Sequence, residues 1–149
     1  MLLQPHTVKY EDIQVGDKLP SFQKYESQQN IDMYVKLNER PGRERDLGGI
    51  HHDPEYAEQA IFNGTVNYGV TTVGFMSELL QKGFPMRAVQ LGTLSMRAIE
   101  PVRPNDVITY SGVVTAKRVE GGKRLVDLEL RGTNQHGQMV ASSKAIIPL

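Results

Sequence analysis

Asp46 and His51 stand five residues apart in a glycine-containing loop, Asp46-Leu47-Gly48-Gly49-Ile50-His51. A carboxylate and an imidazole at that spacing can do proton chemistry, because histidine titrates near physiological pH and a neighbouring carboxylate can orient it. The residues that follow bear on whether the pair is held in place. Asp53-Pro54-Glu55 is a helix-start signature: the Asp side chain accepts orphan backbone N–H bonds, proline needs no partner at the first helical position, and glutamate suits the positive end of the dipole. The stretch from Asp46 to Ala57 is therefore pinned against a helix start. On loop composition alone, Asp46 also fits a turn residue capping local N–H groups, and His51 a loop histidine bonded to backbone. His52 reads as a solvent-facing neighbour, and His6 and His136 fit an N-terminal tail and a hairpin turn.

The elements that must position this loop can be read in order. Residues 1–20, with a turn at Val15-Gly16-Asp17 and with Pro20, form an irregular lead-in with one short strand at most. Ser21 to Tyr25 is a strand candidate. Ser27 can cap a helix carrying Ile31, Tyr34 and Val35 at i, i+3, i+4 spacing, which should stop before Pro41. After Asn63-Gly64-Thr65, residues 66–82 form a long central helix that is apolar around most of its circumference and needs cover on most sides, with only Asn67, Thr71, Ser77 and Glu78 as a polar strip. Gly83 and Pro85 supply its stop. Residues 88–147 form a four-stranded meander, with strands at about 88–102, 106–119, 123–134 and 138–147 separated by turn signals. In the third, Val126, Leu128 and Leu130 alternate with Asp127, Glu129 and Arg131, so one face is wet. The first shifts its alternation, which predicts a bulge near Thr93. A sheet curled around the helix satisfies both surfaces, giving an α+β fold of the hot-dog kind in a single domain over residues 1–149.

Composition narrows the function classes. Seventeen basic residues balance seventeen acidic ones, so no global field favours nucleic acid or an anionic membrane. Cysteine is absent, which removes disulfides, thiolate nucleophiles and zinc-cysteine sites. No run approaches the roughly 18 apolar residues of a membrane span, and the first ten residues lack a signal-like apolar core. A cytoplasmic protein is expected.

Three segments carry a family resemblance: residues 50–57, Ile-His-His-Asp-Pro-Glu-Tyr-Ala; residues 97–106, with the Pro101-Val102-Arg103-Pro104 strand entry; and residues 133–142. Together they resemble the MaoC-like, R-specific enoyl-CoA hydratases, hot-dog proteins, over nearly the whole chain from about Tyr10. In that family an Asp and a His in a loop of the form Asp-x-Asn-Pro-(Ile/Leu)-His hold a water between them. Asp46, Ile50 and His51 match. The motif's Asn and Pro are Gly48 and Gly49 here, and the small residues preceding the Asp are Glu44 and Arg45. Glycine costs more backbone entropy to fix, and an amide is lost. The family's Pro-x-x-His-Gly at the central helix start is Thr65-Val66-Asn67-Tyr68-Gly69, of which Gly69 matches.

The resemblance implies reversible syn addition of water to a trans-2-enoyl-CoA. Asp46 would take a proton from water attacking C3, His51 would give one to C2, and the Gly69 N–H would polarise the thioester carbonyl. No metal or redox cofactor is implied. Ile50, Asn67 and Tyr68 are candidate substrate contacts, although a Tyr near a helix start more often packs. Phe62, Phe75, Met76 and Met96 are candidates for an acyl tunnel or for core. Arg43, Arg45, Lys117, Arg118, Lys123 and Arg124 are candidates for coenzyme A phosphates or for solvated surface. A homodimer or dimer of dimers is expected, since an open sheet edge is a liability. Two rivals are a non-catalytic acyl-CoA-binding subunit of a heteromeric hydratase and a hot-dog thioesterase, the latter disfavoured because residues 63–69 offer no acid.

Overall fold

The computed structural model describes residues 1–37 and 49–149. Among them, five strands form one antiparallel sheet in the order β1-β3-β4-β5-β2. The strands are β1 (Phe22–Tyr25), β2 (Thr93–Ala98), β3 (Val107–Glu120), β4 (Lys123–Thr133) and β5 (Met139–Pro148). The helices are α1 (Gln28–Leu37), α2 (Pro54–Gln59), α3 (Gly69–Gly83) and α4 (Met86–Leu91). The lead-in contains one turn of 3-10 helix, Tyr10–Asp12, and isolated bridges from Lys18 to Leu2 and Val113. None of the described helices is long and apolar enough to cross a membrane.

The expected α+β hot-dog layering is present. Val126, Leu128 and Leu130 of β4 are buried beside Ile108, Tyr110 and Val114 of β3, and Met76, Leu79 and Leu80 of α3 belong to the same core. Each fully buried apolar side chain of this size contributes roughly 1.5–3 kcal/mol. The turn signals were sound: Gly121 and Gly122 take φ +55° and +76° between β3 and β4.

Several details differ from the sequence expectation. The central helix begins at Gly69 rather than residue 66, because Val66 and Asn67 spend their N–H groups on Ile50 O and Val102 O. It is also less enclosed than its composition implies: Val70 is 56% and Val73 38% exposed, so one apolar flank is left open among the described residues. The strand expected over 88–102 is a short helix followed by a shorter strand. Pro85 caps α4, its carbonyl accepting from the Ala88 and Val89 N–H groups, and β2 then pairs with β5 from Thr93 to Ala98 without interruption. The shift in alternation at Thr93 therefore marks a helix-to-strand junction, not a bulge. Gly92 makes the junction, since a Cβ there would lie 2.7 Å from Ile146 O. Nor do the four later strands form a simple meander, because β2 lies beyond β5, away from β3.

Candidate active site

The site is assembled from the loop before α2, the N-terminus of α3 and the exposed side of α1. Asp53 caps α2 as its sequence requires, its Oδ1 accepting from Tyr56 N at 3.0 Å. Gly49 closes the turn ahead of it, its carbonyl accepting from His52 N and Asp53 N at 3.3 and 3.1 Å. Gly49 has φ +92°, a backbone closed to proline, whose ring fixes φ near −65°. The glycine in place of the motif's proline thus accompanies a different local turn. Asp46 and Gly48 lie outside the described residues, as do Glu44, Arg43 and Arg45.

His51 bonds through Nδ1 to Val66 O at 2.8 Å. A carbonyl only accepts, so Nδ1 carries the hydrogen and Nε2 presents the lone pair in the neutral ring. One nitrogen is thus bonded to backbone, and the other is the one that can exchange a proton. The ring stacks on Tyr68, centroids 3.9 Å apart and planes 27° apart. Ile50, His51, Phe62, Gly69, Met96 and Ile99 line one cavity of about 340 Å³. Gly69 is the first residue of α3, so its N–H has no intrahelical acceptor, and a Cβ there would meet nothing within 4 Å. His51 and Gly69 are therefore brought together at an open helix N-terminus.

His52 departs from its expected role. Its side chain is 5% exposed, with Nδ1 2.7 Å from Asp32 Oδ1 and Nε2 2.6 Å from the Tyr68 hydroxyl. Burial opposes ionisation of Asp32, yet hydrogen bonds from Gln28 and His52 outweigh it and hold the carboxyl below its ordinary range. Gln28 Nε2 also reaches His51 O at 2.8 Å, tying α1 to the loop. Asp32, His52 and Tyr68 form a relay behind His51, and Tyr34 closes the other side of Tyr68 at 4.7 Å between centroids. Nothing in sequence spacing announces it, because Asp32 lies 20 residues from His52.

Asn67 is 8% exposed and mostly structural. Its Nδ2 approaches Thr71 Oγ1 at 3.1 Å, Thr72 Oγ1 at 3.2 Å and Glu26 Oε2 at 3.4 Å. Glu26, itself 8% exposed, supplies an acid beside the α3 N-terminus from the end of β1, which the sequence between 63 and 69 lacks. Burial pushes its carboxyl up, against hydrogen bonds from Ser27 N and the Asn67 and Asn30 amides. Of the tunnel candidates, Phe62 and Met96 line the His51 cavity, whereas Met76 is core. Three of the basic candidates are engaged elsewhere: Lys117 donates to Ile13 O, Arg118 pairs with Asp127 and Arg124 with Glu11. Among the described residues, no three His, Cys, Asp or Glu side chains converge as a metal site.

A family model for the MaoC like domain matches residues 23–135. The chain belongs to the MaoC-like family. Its fold is similar to that of a MaoC-like dehydratase from Rhodospirillum rubrum, with TM-score 0.74 and 23% identity over 93% of this chain and 94% of that one. It is also similar to the R-hydratase PhaJ1 from Pseudomonas aeruginosa, with TM-score 0.70 and 20% identity over 93% and 83% of the two chains. A chain of the ChsH1-ChsH2 complex from Mycobacterium tuberculosis gives TM-score 0.70 and 21% identity over 91% and 98%. No curated protein sequence matches. Membership makes this a hydratase or dehydratase relative, and the structural likenesses extend to the family's fold.

Proposed function

We propose that the chain is a hydro-lyase that adds water reversibly to a trans-2-enoyl thioester, carried on coenzyme A or an acyl carrier. The observation that carries this reading is the placement of His51 and Gly69 on one cavity, with His51 Nδ1–H committed to Val66 O. Proton traffic on His51 must then run through Nε2. Asp46 takes a proton from water as its oxygen bonds C3, the electron pair moves through C2 onto the thioester oxygen held by Gly69 N–H, and imidazolium Nε2–H protonates C2. Transfer of the proton from Asp46 back to His51 resets the site. Ile50 shapes its wall, and the Tyr68 ring backs the His51 imidazole. No metal or redox group enters these steps.

The outer edge of β2, which has no neighbouring strand among the described residues, and the exposed Val70 and Val73 support pairing of two copies into a homodimer or a dimer of dimers. Loss of enoyl-thioester absorbance on adding crotonyl-CoA tests the activity.

A second reading, a non-catalytic acyl-CoA-binding subunit of a heteromeric hydratase, is favoured by the Gly49 turn and by the likeness to a chain from a two-component complex. Activity that appears only on co-expression with a partner chain would select it. Release of free thiol from acyl-CoA would instead select a thioesterase, for which Glu26 supplies the nearby acid.

A further inference from the structure

His51 Nε2 can exchange a proton with a guest in its cavity only while the imidazole plane is held, and one hydrogen bond does not hold a plane. The bond from Nδ1–H to Val66 O, at 2.8 Å, fixes a direction and leaves the ring free to swing about it, because the second side-chain torsion of histidine has broad minima. A reacting group has to be kept within about 10–20° of its productive orientation. A second restraint is the Tyr68 ring, stacked on His51 with centroids 3.9 Å and planes 27° apart.

A loose Tyr68 would pass its own freedom on to His51. It occupies the N-cap of α3 without a side-chain cap bond, and its ring torsion is as broad as that of histidine. Its hydroxyl, 2.6 Å from His52 Nε2, ties down the far end of the ring. His52 is set in turn by Asp32 Oδ1, 2.7 Å from Nδ1, which in the neutral ring leaves Nε2 to accept from the Tyr68 O–H. The same Oδ1 accepts from Gln28 Nε2 at 2.9 Å, and Gln28 Nε2 also donates to His51 O at 2.8 Å. The contacts therefore close on themselves. They leave the His51 backbone through Gln28, pass Asp32, His52 and Tyr68, and return to the His51 imidazole. Asp32, His52 and Tyr68 are not among the residues lining the His51 cavity, so they act on a guest there only through His51.

We propose that Asp32, His52 and Tyr68 are positioning residues for His51, a closed circuit that holds the imidazole plane so that Nε2 faces the thioester cavity. The inference rests on the enoyl-thioester reading of His51 and Gly69. Bond geometry, and not the charge of Asp32, is what the circuit uses: both of its bonds to Asp32 meet one oxygen, which an asparagine carbonyl can replace.

Asp32→Ala and Tyr68→Phe break the circuit at two points, whereas Asp32→Asn keeps the oxygen that closes it. Proton NMR of the His51 ring, assigned against His51→Ala, reads the stacking without any turnover, because carbon-bound protons over the Tyr68 face are displaced upfield. The kcat and KM of crotonyl-CoA hydration read its consequence. The upfield displacement is expected in the parent and in Asp32→Asn, and is expected to be largely lost in Asp32→Ala and Tyr68→Phe. Those two should also lose about tenfold or more in kcat with KM within about twofold of the parent, and Asp32→Asn should recover most of that loss. Tyr68→Phe alone decides the matter if Asp32→Ala does not fold. An unchanged displacement in the broken variants, or a parental kcat once the displacement is lost, overturns the inference, as does Asp32→Asn as defective as Asp32→Ala. The expected NMR pattern without crotonyl-CoA turnover by the parent overturns the hydratase reading alone.

Discussion

Replacing Tyr68 with phenylalanine removes one oxygen and leaves the ring. That oxygen lies 2.6 Å from His52 Nε2, on an imidazole whose side chain is 5% exposed. The stacking on His51 at 3.9 Å and on Tyr34 at 4.7 Å is retained, while the buried hydrogen bond to His52 is lost and its nitrogen deprived of that partner. Such a loss costs about 1–3 kcal/mol. For a chain of this size each kcal/mol moves Tm by about 2–4 °C, so the expected fall is about 2–12 °C. Thermal unfolding followed by far-ultraviolet circular dichroism measures it, since the chain has no tryptophan, and urea unfolding gives the free energies. A double-mutant cycle with His52→Leu isolates the pair, and a coupling of about 1–2 kcal/mol is expected. Tyr68→Phe within about 0.3 kcal/mol of the parent, or additivity in the cycle, refutes the relay.

Gly69→Ala places a methyl in open space above the α3 N-terminus, so stability should stay within about 0.5 kcal/mol while hydration falls about tenfold or more from crowding of the carbonyl subsite. Gly92→Ala sets a Cβ 2.7 Å from Ile146 O and should cost about 1–3 kcal/mol in urea unfolding. The pH dependence of stability should carry two opposed contributions. The depressed Asp32 carboxyl stabilises the fold above its ordinary value of 3.8 and loses that contribution as pH falls through its folded value, so Asp32→Asn flattens the acid limb. The raised Glu26 carboxyl acts oppositely: its contribution is present below 4.5 and is lost as pH rises through its folded value, so Glu26→Gln gains on the parent from pH 4 to 8. Urea midpoints across pH 3 to 8 check both.

Local chemistry was legible in the sequence where one segment determines it. Asp53 caps α2 as read, the β4 alternation places Val126, Leu128 and Leu130 inward, and the glycine pair at 121 and 122 turns the β3–β4 hairpin. His51 and Gly69, named from the family resemblance, line one cavity, while Asp46 lies outside the described residues. What escaped depends on contacts between distant segments. Glu26 meets Asn67 across 41 residues and Asp32 meets His52 across 20. Adjacent residues at a turn need not alternate in and out, so His51 and His52 can both point inward. Residues 88–92 mix alternating apolar side chains with a helical pair at Ala88 and Leu91, and Pro85 tips the balance to α4. Apolar composition also overstated the cover on α3, because Val70 and Val73 reach solvent from a single chain.

The central claim is that Asp46 and His51 add water to an enoyl thioester. Crotonyl-CoA hydration by the purified chain, followed as loss of the enoyl thioester absorbance beside Asp46→Asn and His51→Ala, tests it most directly. Turnover by the parent, with both variants reduced by about 10²-fold or more, is the expected result. Variants as active as the parent would contradict the assignment.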